Sequence, residues 1–446
     1  MPDYRAQYDA KIRTIPEIYT HLKNGDAIIG ALGAACPSEL FGKLHTVADM
    51  GLRGLDVTDC LPLVSYEFLT NSNPEVITNS GWFYSGPQRA AAKICSPNLS
   101  FVPQRLHNAG LRRAYAHKQD NRRMVLMAGC SPMDQHGYMS ISLSATYERL
   151  IIDEGAIVIA EVNKQMPRTF GDTVIHISEV EALVEVDYSP VALPFVPFTD
   201  NDELIANYVS ERIEDGSTIQ LGIGGIPNAL ANGLKHKKDL GIHTEMLTDN
   251  MVDLVECGAV NNSKKTLYRH KMIGTFAMGS QKLYNFIDNN PSVMILNGSF
   301  VNDPAVIGQN YKMQSINTAL EVDLFGQCAS EAIGPVQFSG SGGQADTSIG
   351  AQRSKDGHSF ICLYSTASVK TKDGGREVIS KITPMLKEGS IVTLSRNDVD
   401  FVVTEYGIAS LRGRSNKERA ERLISIAHPD FRDELRSHVR NNAAIY

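Results

Sequence analysis

The chain has one tryptophan, Trp82, no Cys-x-x-Cys pair, no block of basic residues and no apolar run of membrane-spanning length. Each absence excludes something. The seven cysteines, at 36, 60, 95, 130, 257, 328 and 362, are scattered singly, which argues against structural zinc and a disulfide scaffold and for a reducing compartment. A formal net charge of −7 without clustered Lys and Arg argues against a nucleic-acid surface. The apolar stretch GAIVIAEV is too short to span a membrane, and the charged start MPDYRAQYDAK does not read as a signal peptide. The expectation is a cytoplasmic globular enzyme with no metal, no nucleic acid and no membrane partner, acting on small molecules.

What is present is a repeat. Residues 24–37, NGDAIIGALGAACP, answer to residues 215–227, DGSTIQLGIGGIP. GLRGLDVTD at 51–59 reappears as GIHTEMLTD at 241–249, then FYSGPQR at 83–89 as FAMGSQK at 276–282, with SFV and DxxG matches following in order. Short Gly-centred matches can converge in α/β proteins, but five in one order favour duplication. In this alignment Leu55 of the first copy faces Glu245 of the second, so only the second half carries a carboxylate at that turn. A site between two similar domains, with Leu55 and its neighbours as an apolar wall, is the reading.

Length is compatible with that division, since 446 residues supply two domains of ordinary size. The segment DYSPVALPFVPFTDND at 187–202 has prolines at 190, 194 and 197 and no usable period, so the boundary is placed near Pro197, giving domains 1–197 and 198–446. Short apolar strands alternate with helices, as in residues 26–29 followed by 37–44, and 217–221 followed by 228–234. That alternation predicts open α/β domains with mainly parallel sheets covered on both faces. Ser415 and Glu418 have capping-box spacing ahead of an apolar stripe at Ala420, Leu423, Ile424 and Ala427.

Several residues could carry chemistry. The turn GIGGIPNAL at 222–230 joins a strand to a helix start, where backbone N–H groups can hold an anion or a developing oxyanion. It is neither a dinucleotide fingerprint, because Pro227 replaces the third Gly, nor a Walker loop. Glu245 sits among apolar neighbours at a strand end, as a nucleophile would; a solvated strand face is the competing account. The Gly-dense loop at 340–346 suggests backbone approaching a ligand. His243 is read as structural, and Lys264, Lys265, Arg269 and Lys271 as a solvated basic face.

Together these motifs resemble the class I CoA-transferases of the acetyl-CoA hydrolase/transferase family, particularly the butyrate and 4-hydroxybutyrate CoA-transferases. The resemblance rests on IAEVNKQMPRTFGD at 159–172, IQLGIGGIPNAL at 219–230, GIHTEMLTDNMVDLVECG at 241–258 and SINTALEVDLFGQ at 315–327. SGSGGQADTSIGA at 339–351, SRNDVDFVVTEYGIASLRG at 395–413 and IAHPDFR at 426–432 complete it. It spans nearly the whole chain and implies two similar open α/β domains.

The resemblance also implies a mechanism. Glu245, in the HTEM motif, would attack an acyl-CoA carbonyl, giving an acyl-glutamyl anhydride and CoA thiolate. The thiolate would then attack the glutamyl carbonyl to leave a glutamyl-CoA thioester, which an incoming carboxylate resolves. By resemblance, Gln220, Leu221, Gly222, Ile223, Gly224, Leu320, Gly343 and Lys370 contact CoA, with coenzyme A as substrate and covalent intermediate and no permanently bound cofactor. Short-chain acyl-CoA and carboxylates are the implied partners, in a homodimer or higher homo-oligomer. Thr347 after GGQAD departs from the family pattern, as do residues 30–37 and 55–64, and by resemblance these two first-half segments shape the acyl pocket. Hydrolysis of the same intermediate by water is the alternative, and a sugar-phosphate-binding module or isomerase a third.

Overall fold

The computed structural model describes residues 3–371, 373–440 and 445. Two compact units form: one from Met1–Pro194, Glu245–Asp249 and Lys271–Val301, the other from Phe195–Thr244, Asn250–His270 and Asn302–Tyr446. Among the described residues no helix is long and apolar enough to cross a membrane.

The first unit is built on a seven-stranded sheet whose spatial order is Leu99–Phe101, Ile77–Gly81, Leu55–Thr58, Ala27–Gly30, Met124–Cys130, Ile157–Asn163 and Val180–Val186. Every neighbouring pair is parallel. Ala27–Gly30 and Met124–Cys130 are buried along their whole length. That is how central strands of a parallel sheet read when helices cover both faces. Ile28, Phe41, Leu55, Val57, Ile77, Val125, Met127 and Ile159 belong to one buried apolar cluster.

The second unit carries a six-stranded sheet in the order Gly241–Ile242, Thr218–Gln220, Met313–Thr318, His358–Cys362, Phe401–Thr404 and Gly407–Ser410. Only its last pair is antiparallel. The capping box at Ser415 and Glu418 forms as the spacing predicts, opening the helix Asn416–Ile426. Leu423 and Ile424 of that helix pack with Ile361, Val402 and Leu411.

Both sheets share one topological device. The first strand of each, Ala27–Gly30 or Thr218–Gln220, lies inside the sheet, with the next strand in sequence on one side and later strands on the other. Strand order reverses there, and in open α/β sheets the crevice at the carboxyl ends of such strands is where ligands bind.

The detailed correspondence between the halves differs from the ungapped alignment. Ala27 pairs with Asp56, and its counterpart Thr218 pairs with Gly241. From those pairing positions Asp59 lies three residues on, whereas Asp249 lies eight on. The second half therefore holds five extra residues before its Asp, and Glu245 falls among them. Leu55 is not its counterpart and is not an exposed wall: it starts its strand, fully buried in the core, its N–H donating to the Val76 carbonyl at 2.9 Å.

Candidate functional site

Glu245 is half-buried and begins a short segment of the first unit. Its carbonyl accepts the N–H groups of Thr275 at 2.9 Å and Phe276 at 3.2 Å. Met246–Leu247 then pairs in parallel with Phe276–Ala277. The backbone on the carboxyl side of Glu245 is thus locked from its first peptide onward, and a side chain on so rigid a base keeps a fixed origin.

The first-half segments that depart from the family pattern meet this segment within the same unit. Gly33 has φ +57°, and a Cβ there would lie 2.6 Å from Met278 Sδ. The Gly33 N–H donates to the Cys60 carbonyl at 3.2 Å, and the Met278 N–H to the Leu247 carbonyl at 3.1 Å. Burial drives the Cys60 thiol far above its usual range, with the carboxylates of Asp59, Glu245 and Glu148 adding to the shift in that order. Cys60 is therefore a buried, unreactive thiol within electrostatic reach of Glu245.

Two carboxyl groups that sequence reasoning passed over are fully buried here. Glu148 accepts the N–H of Leu32 at 2.8 Å and of Tyr147 at 2.9 Å, pinning the turn that follows Ala27–Gly30. Burial raises its pKa, and those hydrogen bonds oppose the rise. Asp59 accepts Gln88 Nε2 on Oδ1 at 2.6 Å, while its buried Oδ2 has no hydrogen-bond partner. Burial pushes Asp59 up to about 7, hydrogen bonding offsetting only part of it.

In the second unit Gln220 to Gly224 and Leu320 lie at the carboxyl ends of two adjacent strands, Thr218–Gln220 and Met313–Thr318, with Gly343 beside the second. Gln220 ends Thr218–Gln220, and its side-chain oxygen accepts Ser315 Oγ and the Ile316 N–H, each at 3.1 Å. That side chain ties neighbouring strands together. Leu221 is buried, Gly222 and Gly224 are half-buried, and Ile223 is 51 % exposed, displayed on the turn. Gly224, at φ +115°, caps the helix Gly225–Gly233, a backbone conformation that a residue with a Cβ rarely adopts.

Leu320 follows Met313–Thr318, with its N–H on the Ala329 carbonyl at 2.9 Å. Gly343 caps the helix Gln344–Arg353, and Gln344 Nε2 donates to the Thr318 carbonyl at 2.9 Å. Thr347, on that helix, is buried and receives a hydrogen bond from Asn317 at 3.1 Å. Lys370 stands apart from the sheet, exposed in a two-stranded hairpin opposite Arg376.

The basic face read from the sequence is corrected at one position. Lys265 is 1 % exposed, not solvated, and burial lowers its pKa to about 7. His243 is buried, as a structural histidine is.

Family models match both halves: the acetyl-CoA hydrolase/transferase N-terminal domain over residues 1–197 and the C-terminal domain over residues 279–439. The chain belongs to the acetyl-CoA hydrolase/transferase family. As a member it is an enzyme, a CoA-transferase. It is 42 % identical over 440 residues to the succinyl-CoA:cyclohexane-1-carboxylate CoA transferase of Geobacter metallireducens, covering 98 % of this chain and 97 % of that one. It is 38 % identical over 428 residues to the 4-hydroxybutyrate coenzyme A transferase of Clostridium kluyveri, covering 96 % and 97 %. Among solved structures, RipA from Yersinia pestis superposes with a TM-score of 0.89 at 35 % identity, covering 98 % of this chain and 99 % of that one. The 4-hydroxybutyrate CoA-transferase of Porphyromonas gingivalis superposes with a TM-score of 0.78 at 33 % identity, covering 98 % and 100 %.

Proposed function

We propose that this CoA-transferase moves CoA between a short-chain acyl-CoA and a free carboxylate through a covalent thioester on Glu245. The observation that carries the reading is the setting of Glu245: a carboxylate just beyond the carboxyl end of a strand flanking the switch point, on a backbone pinned by Thr275 and Phe276. Its carboxylate attacks the acyl carbonyl and expels CoA thiolate, forming an anhydride. The thiolate attacks the glutamyl carbonyl and releases the first carboxylate, and a second carboxylate reverses the two steps. Each step passes through an oxyanion, for which backbone N–H groups around Gly222, Gly224 and Gly343 are the donors. Gln220, Leu221, Gly222, Ile223, Gly224, Leu320, Gly343 and Lys370 hold the CoA.

Acetyl-, butyryl- and 4-hydroxybutyryl-type chains are the substrate class, and the segments around Gly33 and Cys60, packed near Met278, set the choice among them. The enzyme works in the cytoplasm as a homodimer or larger homo-oligomer. The deciding experiment is intact mass spectrometry after brief exposure to butyryl-CoA, with peptide mapping. A CoA adduct on the Glu245 peptide is the expected result; retained activity in Glu245→Ala would overturn the proposal. CoA release that proceeds at the same rate without any carboxylate acceptor would make the enzyme a hydrolase instead.

A further inference from the structure

Gly241–Ile242 is the edge strand of the second sheet, paired on one side only, with Thr218–Gln220. An edge leaves one row of backbone groups without a neighbouring strand. In the first sheet the corresponding strand, Leu55–Thr58, has Ile77–Gly81 along that side. In the second sheet two side chains take that place. The Ile242 N–H donates to Asn262 Oδ1 at 2.9 Å, and the Ile242 carbonyl accepts Lys265 Nζ at 2.6 Å.

The fit of this pair is specific. Asn262 holds φ +58°, and its own N–H bonds the Leu240 carbonyl at 3.0 Å, so its amide approaches the strand edge from a tight turn. The Lys265 stem lies against Gly241, where a Cβ would come within 2.3 Å of Lys265 Cγ. Glycine at 241 is thus a condition for the lysine to reach. Burying an amine costs free energy that an apolar side chain of the same length would not, and here the amine donates to the backbone carbonyl three residues before Glu245.

We propose that Lys265 and Asn262 are positioning residues for Glu245, clamping Ile242 through both of its backbone polar groups and so fixing the point from which the catalytic segment leaves the sheet. This rests on the reading of Glu245 as the nucleophile. With Thr275 and Phe276 holding the Glu245 carbonyl, the clamp fixes the chain on the amino side of the nucleophile as those two residues fix it on the carboxyl side. Misplacing a reacting group by about 1 Å costs on the order of 100-fold in rate. A clamp therefore shows in the chemical step before it shows in ligand binding.

The test uses the full-length enzyme and three measurements: thermal midpoint, affinity for free CoA by calorimetry, and the single-turnover rate of CoA-adduct formation from butyryl-CoA, read by quench and intact mass. Lys265→Met keeps the stem and removes the donor. The expected result is adduct formation slowed roughly 10- to 100-fold, with CoA affinity within about twofold of wild type. An unchanged adduct rate, or CoA affinity lost in proportion to rate, would overturn the clamp. If Lys265→Met does not fold, Asn262→Ala removes the other arm without disturbing the amine and is judged by the same criteria. Glu245→Ala, run alongside, separates the two readings. Full activity there sinks the nucleophile assignment, whereas an inactive Glu245→Ala beside a fully active Lys265→Met sinks only the clamp.

Discussion

The Asp249 carboxylate caps a helix through Ser280: Oδ2 accepts the Ser280 N–H at 2.8 Å and Oδ1 accepts its hydroxyl at 2.5 Å. Oδ1 also takes the Leu283 N–H at 3.3 Å, inside the helix Gln281–Ile287. The segment that opens with Glu245 is anchored at its far end by this cap. Asp249→Ala is expected to lower unfolding free energy by about 1–3 kcal/mol, measured by urea denaturation. It should also reduce turnover, because the anchor lies only four residues from Glu245.

Shortening the proposed nucleophile tests how tightly its base is held. Glu245→Asp withdraws the carboxylate by one methylene from a backbone fixed by Thr275 and Phe276. The expected loss in turnover is on the order of 100-fold or more. Glu245→Gln, which has no carboxylate, should lose on the order of 10⁴-fold or more. Assaying CoA transfer from butyryl-CoA to acetate gives both figures.

Asp59 makes stability depend on pH. Its folded-state pKa is raised from 3.8 to about 7, so between those values the folded protein retains a proton that the unfolded chain has released. Stability therefore falls as pH rises through that window, by at most about 4 kcal/mol for this group. Asp59→Asn keeps an oxygen for Gln88 and removes the charge. Denaturation at pH 5 and pH 8 should show wild type losing stability relative to the variant at the higher pH; parallel curves would contradict the assignment.

Thiol chemistry gives an inexpensive check of burial. Cys95 and Cys257 are exposed, and Cys36, Cys60, Cys130, Cys328 and Cys362 are buried. Burial also lifts the Cys130 and Cys362 thiols to about 12, leaving little thiolate at neutral pH. A chromogenic disulfide reagent on the native enzyme should titrate two thiols quickly, with the remainder reacting on unfolding.

The parallel-sheet fold was legible because its strands are short, apolar and separated by Gly turns, a pattern that survives without tertiary information. Glu245 is singled out in the sequence by its motif. Its relation to Leu55 was not legible, because strand register is set by which backbone groups pair, and an ungapped match of Thr-Asp to Thr-Asp conceals five extra residues just where the chain leaves the sheet. Asp59 and Asp249 explain why the match looked right: each bonds the start of a helix that begins within the matched FYSGPQR or FAMGSQK peptide. Lys265 was hidden among Lys264, Arg269 and Lys271, which form a basic run in sequence. Nothing in such a run marks the one member that turns inward; the close packing against Gly241 does. Glu148 was equally silent, since its partners Leu32 and Tyr147 contribute only backbone N–H groups.

The composition of the first unit bears on how the protein is made. Besides Met1–Pro194 it needs Lys271–Val301, whose Ile295 exchanges backbone hydrogen bonds with Phe170 and Asp172. Met272–Gly274 and Val293–Ile295 pair with each other in that same late segment. During synthesis the amino-terminal sheet can assemble early, yet its unit closes only after residue 301 has left the ribosome, more than a hundred residues later. A gene cut at residue 197 would yield a fragment whose Phe170 and Asp172 edge is unsealed and prone to pairing with the wrong chain. The order of translation and the order of folding are thus offset in this enzyme, and chain halves produced separately should recover activity only when both are present while they fold.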